Sequence, residues 1–179
     1  MNHLEELVSQ WLDFRGYIVR CNVCIGLLRH GGHTGEIDVA AYHPVTKHCL
    51  HVECSGDADS WAYREKRFEQ KFAKGRDFIK KEVFPWLDGV GDLKIEQWAI
   101  VWTAGADRTH VAGGKVVTMR NLYRNIARDI RKMREKGNRV IPEKYSLLRT
   151  IQQAMHHIGG LAQADTPGHE DVPLLRDAP

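Results

Sequence analysis

Apolar positions recur along the chain in two rhythms, and each change of rhythm marks a new element. Over residues 2–15, Leu4, Leu7, Val8 and Trp11 fall on one side of a wheel drawn at about 100° per residue, which predicts an opening amphipathic helix ended by Gly16. Residues 17–28 (YIVRCNVCIGLL) are rich in β-branched and apolar side chains and predict a strand, followed by the turn-forming RHGGHTG. GEIDVAAYH (35–43) and KHCLHVECS (47–55) predict two further strands joined through Pro44 as a hairpin. After a loop and helix cap at 57–60, a long helix runs from 61 to about 83 and stops near Pro85. IEQWAIVWT (95–103) reads as a buried strand, GADRTHVAGG as a loop and KVVTM (115–119) as a short strand. Two helices follow at 120–136 and 141–158. From about residue 159 periodicity is lost and Gly, Pro and acids gather, as in a flexible or loosely docked tail. Helix, three strands, helix and strand, with further helices behind, predict an α/β fold with a mixed central sheet flanked by helices on both faces.

Composition narrows this without changing it. A chain of 179 residues, 42% hydrophobic and 27% charged, suits one domain, here 1–158. No apolar run is long enough to cross a membrane, and the opening MNHLEELVSQ carries acids where a signal peptide is basic and then apolar, so a cytoplasmic chain is expected. Cys21, Cys24, Cys49 and Cys54 fit a reducing compartment and, lying within strands, read as small buried residues rather than zinc ligands. Net charge is only +3, so any argument for a nucleic-acid partner rests on distribution. Residues 119–149 hold ten basic side chains against three acids, and Arg120, Arg124, Arg128 and Arg131 recur at helical spacing, a stripe suited to phosphates.

The candidate chemistry lies in two acids placed inside apolar strands, Asp38 in GEIDVAA and Glu53 in LHVECS. A carboxylate there is costly unless paired, hydrogen-bonded or bound to a cation, and two converging on one point suit a hard divalent ion. Helix, GEIDV, hairpin, VEC and helix together resemble the PD-(D/E)XK nuclease superfamily, a restriction endonuclease-like fold, and within it the Mrr-type and Holliday-junction-resolvase-like branch. The resemblance covers about residues 3–150. It implies metal-dependent phosphodiester hydrolysis of DNA, with Glu5, Asp38 and Glu53 holding Mg²⁺ (or Mn²⁺). Glu5 stands eleven residues before Gly16, as the helix glutamate of that family does before its glycine. On the wheel Glu5 also flanks the buried stripe, whereas Glu6 points to solvent.

The chain departs from the family at Ser55, which stands where Glu-x-Lys has its lysine. Some members of the fold supply the amine from the following helix. With Trp61 at zero, Arg64 and Lys71 border the stripe formed by Phe68, Phe72 and Ile79, while Lys66 points away. Lys71 is therefore the expected catalytic amine, with Arg64 a phosphate contact or substitute, and Ser55 a supporting hydroxyl. Together with Arg64, the stripe Arg120, Arg124, Arg128 and Arg131 is expected to hold DNA, with neither membrane nor nucleotide cofactor involved. A chain of this length has little room for a separate specificity domain, which leaves space for a homodimer or partner subunit. The alternative reading of Ser55 is a catalytically inactive nuclease-fold protein acting in DNA binding, regulation or protein interaction.

Overall fold

A computed structural model describes residues 2–56, 59–87, 93–135, 137 and 140–157, so the expected tail lies outside the described residues. Helix α1 (His3–Phe14) starts at a reciprocal cap in which the Asn2 side chain accepts from the backbone N–H of Leu4 and Glu5 while the Glu5 carboxylate accepts from the Asn2 N–H. It ends where Gly16 takes φ +87°, a left-handed conformation that glycine adopts without strain. Strands β1 (Ile18–Leu27), β2 (His33–His43) and β3 (His48–Ser55) form an antiparallel meander. Helix α2 (Trp61–Phe78) then crosses to β4 (Ile95–Val101), which lies parallel to β3. A hairpin of β5 (His110–Val111) and β6 (Gly114–Thr118) completes the sheet, with β6 parallel to β4, in the order β1-β2-β3-β4-β6-β5. Helices α3 (Met119–Glu135) and α4 (Ser146–His157) follow. This is the mixed α/β fold that the pattern predicts, and no helix among the described residues is long and apolar enough to cross a membrane.

Three local features depart from the sequence reading. Strand β5 lies inside the expected loop, because Ala112 (φ +49°) and Gly113 (φ +77°) form a two-residue turn whose twist suits a tight hairpin. The helix from 61 does reach Val83, but its last stretch, Ile79–Val83, is π-helical. Helix α4 begins at Ser146 rather than 141, since the segment around Pro142 is a turn closed by the Tyr145 N–H on the Pro142 carbonyl (3.0 Å). Gln10 of α1 then accepts from the Leu147 N–H (2.9 Å), satisfying a donor that the start of a helix leaves open.

The sheet is covered on both faces. On one, α1, α3 and α4 bury Leu4, Val8, Trp11, Leu122, Ile126 and Leu148 against Val39, Leu50, Val52, Trp98 and Ile100. Here Asp129 of the basic helix accepts from Trp11 Nε1 (2.8 Å) and Arg15 (3.1 Å), so this acid ties α3 to α1. On the other face α2 and its π turn bury Phe68, Phe72 and Ile79 against Ala99, Val101, Ile37 and Cys49.

Strands β1 and β2 do not keep one face throughout. Val19 and Cys21 pack toward α1, but Val23 and Ile25 pack toward α2; likewise Val39 and Ala41 face α1 while Ile37 faces α2. Simple alternation would keep residues two apart on one face. The change falls where Asn22 has φ +50°, between the matched pairs Cys21–Val39 and Val23–Ile37, and thus beside Asp38. Strand pairing of β2 with β3 stops at Val39–Val52, immediately before Asp38 and Glu53 would face each other.

The fit of α2 on the sheet depends on a small residue at the start of β6. A Cβ at Gly114 would stand 2.2 Å from Cε2 of the fully buried Phe72. Gly114→Ala should therefore lower stability by about 1–3 kcal/mol through forced repacking, read as a shift of the urea unfolding midpoint. An unchanged midpoint would contradict this account of the α2 contact.

Candidate active site

Where β2 peels away from β3, the Asp38 carboxylate takes the place of the lost strand pairing. Its Oδ2 accepts from the backbone N–H of Cys54 at 2.8 Å. Glu53 lies beside it and is fully buried; Asp38 is nearly so. Into this acid pair α2 delivers Lys71, whose Nζ donates to Asp38 Oδ1 (2.9 Å) and also to Glu53 Oε2. The Lys71 side chain is 32% exposed and forms the accessible edge of an otherwise buried cluster.

A second chain of contacts holds Glu53 from behind. His51, Glu53 and Ser55 occupy alternate positions of β3 and so share the face toward α2. His51 is fully buried, and its Nε2 is 2.7 Å from Glu53 Oε1. Gln97 of β4 has its amide orientation fixed by two partners: Oε1 accepts from Arg76 (2.8 Å) and Nε2 donates to the Phe72 carbonyl (2.8 Å). The same Nε2 donates to His51 Nδ1 at 3.0 Å, which leaves the hydrogen on His51 Nε2 to be donated to Glu53. Helix α2 approaches closely enough because residue 75 is glycine; a Cβ there would sit 2.1 Å from His51 Nδ1.

The electrostatics follow from these partners. Burial, reinforced by the neighbouring Glu53 charge, pushes the Asp38 carboxyl up to about 7, against the opposing pull of Lys71 and the Cys54 N–H. Burial acts on Glu53 as well, but the hydrogen bond from His51 and the Lys71 ammonium outweigh it and hold that carboxyl below its ordinary value. Burial alone would depress the Lys71 amine, and the two carboxylates more than reverse this, raising it. Glu53 is therefore the ionised partner of Lys71, and Asp38 is the member of the pair that holds a proton most readily.

The other expected residues fall as follows. The Ser55 hydroxyl accepts from Arg67, which also pairs with Asp59 (3.3 Å) and lies over the rings of Tyr63 and Phe68. Glu5 is buried on the α1 side, bonded to Asn2 and to Asn22 Nδ2 (3.0 Å). Its charge, with those of Asp38 and Glu53, adds to burial in pushing the Cys54 thiol up, so it belongs to the same neighbourhood but is not in the Lys71 cluster. Arg64 is 6% exposed with its guanidinium stacked over Trp61 (5.1 Å), a placement that does not offer it to a phosphate as the sequence reading expects. Of the arginine stripe, Arg120 is exposed at the start of α3, whereas Arg124, Arg128 and Arg131 are half-buried on a helix that packs against the face opposite α2. The stripe and the acid cluster are thus on different layers, and only its first member stands near the edge where the strands end.

Sequence reasoning passes over His51, Gln97, Arg67 and Asn22. For two of them a signal exists: His51 is two residues before Glu53 on a strand, and Arg67 is four before Lys71 on a helix, spacings that put each on the face of its neighbour. Nothing in the local pattern marks Gln97 or Asn22.

Among the described residues no group of three or more His, Cys, Asp or Glu side chains is placed to hold a metal ion. A dedicated cage of protein ligands is thereby a poor fit. Mg²⁺, which keeps several waters and uses one or two carboxylates with substrate phosphate, fits the Asp38–Glu53 pair, where burial leaves one carboxyl poised between a proton and another cation.

The fold and site define a mixed α/β protein with a buried acid pair bridged by a helix lysine. No family model matches the chain, and no curated protein matches it. Among solved structures it is similar to one titled "Crystal Structure of Protein of Unknown Function AF1548", with 14% identity, covering 88% of this chain and 97% of that one at a TM-score of 0.39.

The raised Asp38 value has a definite consequence for stability. Between about pH 4 and pH 7 the folded state keeps a proton that the unfolded chain has released, so this group's contribution to stability is lost as pH rises through that window. Asp38→Asn does not titrate. In EDTA, raising pH from 5 to 8 should cost the native protein on the order of 2 kcal/mol relative to Asp38→Asn, measured by urea unfolding at each pH. Parallel pH profiles for the two proteins would rule the perturbed carboxyl out.

Proposed function

We propose that the chain is a metal-dependent DNA hydrolase of the PD-(D/E)XK nuclease type, cleaving phosphodiester bonds with the Asp38, Glu53 and Lys71 cluster. The observation that carries this reading is the single ammonium from the helix after β3 lying within hydrogen-bond reach of both strand carboxylates. It supplies, from α2, the cation that Ser55 removes from the strand.

Asp38 and Glu53 would hold the ion, Mg²⁺ or Mn²⁺. Bound there, a divalent ion lowers the pKa of a water and offsets charge on phosphate oxygens. The chain's own groups do the positioning. His51, itself held by Gln97, fixes Glu53 Oε1 and leaves Oε2 toward the site. Lys71, released from part of its carboxylate contact, can orient the attacking water or counter the growing negative charge on the phosphate. The buried Ser55 hydroxyl, bound to Arg67, places a second cation beside the same strand end. Glu5 supports the site from the α1 side through Asn22 at the point where β1 and β2 change face. A cytoplasmic location and a DNA partner belong to the same reading, DNA from the cluster's chemistry and from Arg120 at the strand edge.

In a plasmid-nicking assay with Mg²⁺ or Mn²⁺, Asp38→Ala and Glu53→Ala should each abolish cleavage while the circular dichroism spectrum stays that of the folded protein. Lys71→Ala should lower the rate about a hundred- to thousandfold. Lys66→Ala, exposed on the outer side of α2, should leave it unchanged. Full activity in either carboxylate variant would overturn the proposal.

A further inference from the structure

Helix α2 and strand β3 meet in a fixed register. Gly75 closes on the His51 ring, Lys71 bonds to Glu53, and Arg67 bonds to Ser55. Each step of four residues back along α2 thus answers a step of two residues forward along β3, so helix and strand run antiparallel. The two steps agree in length, about 6 Å for a helix and about 6.8 Å for a strand. The register carries the site outward: His51 is shut beneath Gly75, whereas the side chains of Lys71 and Arg67 are 32% and 27% exposed. Ser55 is the last residue of β3, so Arg67 stands where that strand leaves the sheet.

Arg67 is held without being closed in. Its guanidinium lies 5.9 Å from the rings of both Tyr63 and Phe68, and it donates to the buried Ser55 hydroxyl. Its ion pair with Asp59 spans 3.3 Å, and the Asp59 side chain is 39% exposed. An arginine that braces this fold looks different: Arg15 and Asp129, which tie α1 to α3, are 11% and 12% exposed. Exposed pairs of the Asp59 kind are weak. A guanidinium has N–H groups enough to keep its bond to Ser55 while a phosphate oxygen takes the place of Asp59. The spacing then selects what that phosphate belongs to. Successive phosphates of one nucleic-acid strand are about 3.4 Å apart along the helix axis and farther apart along the backbone that winds around it, a separation that one turn of α2 between Lys71 and Arg67 can match.

We infer that Arg67 and Ser55 form a second phosphate subsite, one step along the strand from the phosphate at Lys71, so that a DNA strand lies along α2. This rests on the hydrolase reading and names how that site holds its substrate.

Binding of the full chain to a labelled short DNA duplex in EDTA, followed by fluorescence anisotropy over a range of salt concentrations, separates the two claims. Arg67→Ala, or Arg67→Gln should the alanine variant not fold, should weaken binding about ten- to a hundredfold. It should also reduce the slope of log affinity against log salt by about 1, the loss of one phosphate contact. Arg67→Lys keeps the charge without the planar fork, and should restore the slope together with part of the affinity. Lys66→Ala removes the same charge from the outer side of α2 and should leave the slope unchanged. Loss of a mere brace would weaken the alanine and lysine variants alike and leave the slope in place. That result overturns the inference, as does a slope reduced equally by Lys66→Ala, or native protein that does not bind. Repeating the incubation with Mn²⁺ tests the other claim: the expected binding pattern without any cleavage sinks the hydrolase and keeps the phosphate subsite. Cleavage by a protein whose salt slope ignores Arg67 keeps the hydrolase and sinks the subsite.

Discussion

Two carboxylates pressed together beneath a helix govern the shape of everything around them. Asp38 and Glu53 would be the next matched pair of the β2–β3 ladder, with Cβ atoms about 5 Å apart. At that separation and an effective dielectric near 20, two full charges repel by about 3 kcal/mol, before the cost of removing either from water. The sheet alone has no remedy. The cluster persists because one carboxyl accepts a backbone N–H and a raised proton affinity, the other is held by a buried imidazole, and one ammonium reaches both.

That requirement fixes the position of α2. Its approach is set by close contacts at two glycines, Gly75 against the His51 ring and Gly114 against Phe72, so the helix lies near enough for a lysine to span the gap. Gln97 ties the arrangement across the sheet by contacting the α2 backbone at Phe72, the Arg76 side chain and His51 together. The half-turn of β1 and β2 at Asn22 has the same consequence from the other side. It releases β2 from β3 at the point where the Asp38 side chain replaces the backbone in bonding to Cys54. Packing and polar satisfaction here support each other, which is how a buried charged cluster is kept without loss of the fold.

Charge elsewhere on the chain serves two different ends. On α3, Asp129 is drawn inward by Trp11 and Arg15 and joins helices, so a helix that reads as a simple basic stripe is also a structural brace. At the end of β3, Arg67 instead bonds to Ser55 and lies over the Tyr63 ring, while Arg64 and Arg108 lie over the ring of Trp61. A near-neutral total hides this division, because net charge carries no information about which layer a side chain occupies.

Periodicity alone determined the helices, the long strands and the layered mixed sheet, since burial of one face repeats along a helix or strand at intervals fixed by backbone geometry. It also exposed Asp38 and Glu53 as acids out of place, and separated Lys71 from Lys66 by angle on the helix. Only the tertiary structure decided which of these groups meet. That Glu5 bonds to Asn22 and not to Lys71, that Arg64 is buried on Trp61 while Arg67 reaches Ser55, and that α3 lies across the sheet from the acids all depend on register, strand twist and helix crossing. Those are set by contacts between residues far apart in sequence, and a left-handed Asn22 in the middle of a strand leaves no trace in the alternation of neighbouring side chains until the partner strand is in place.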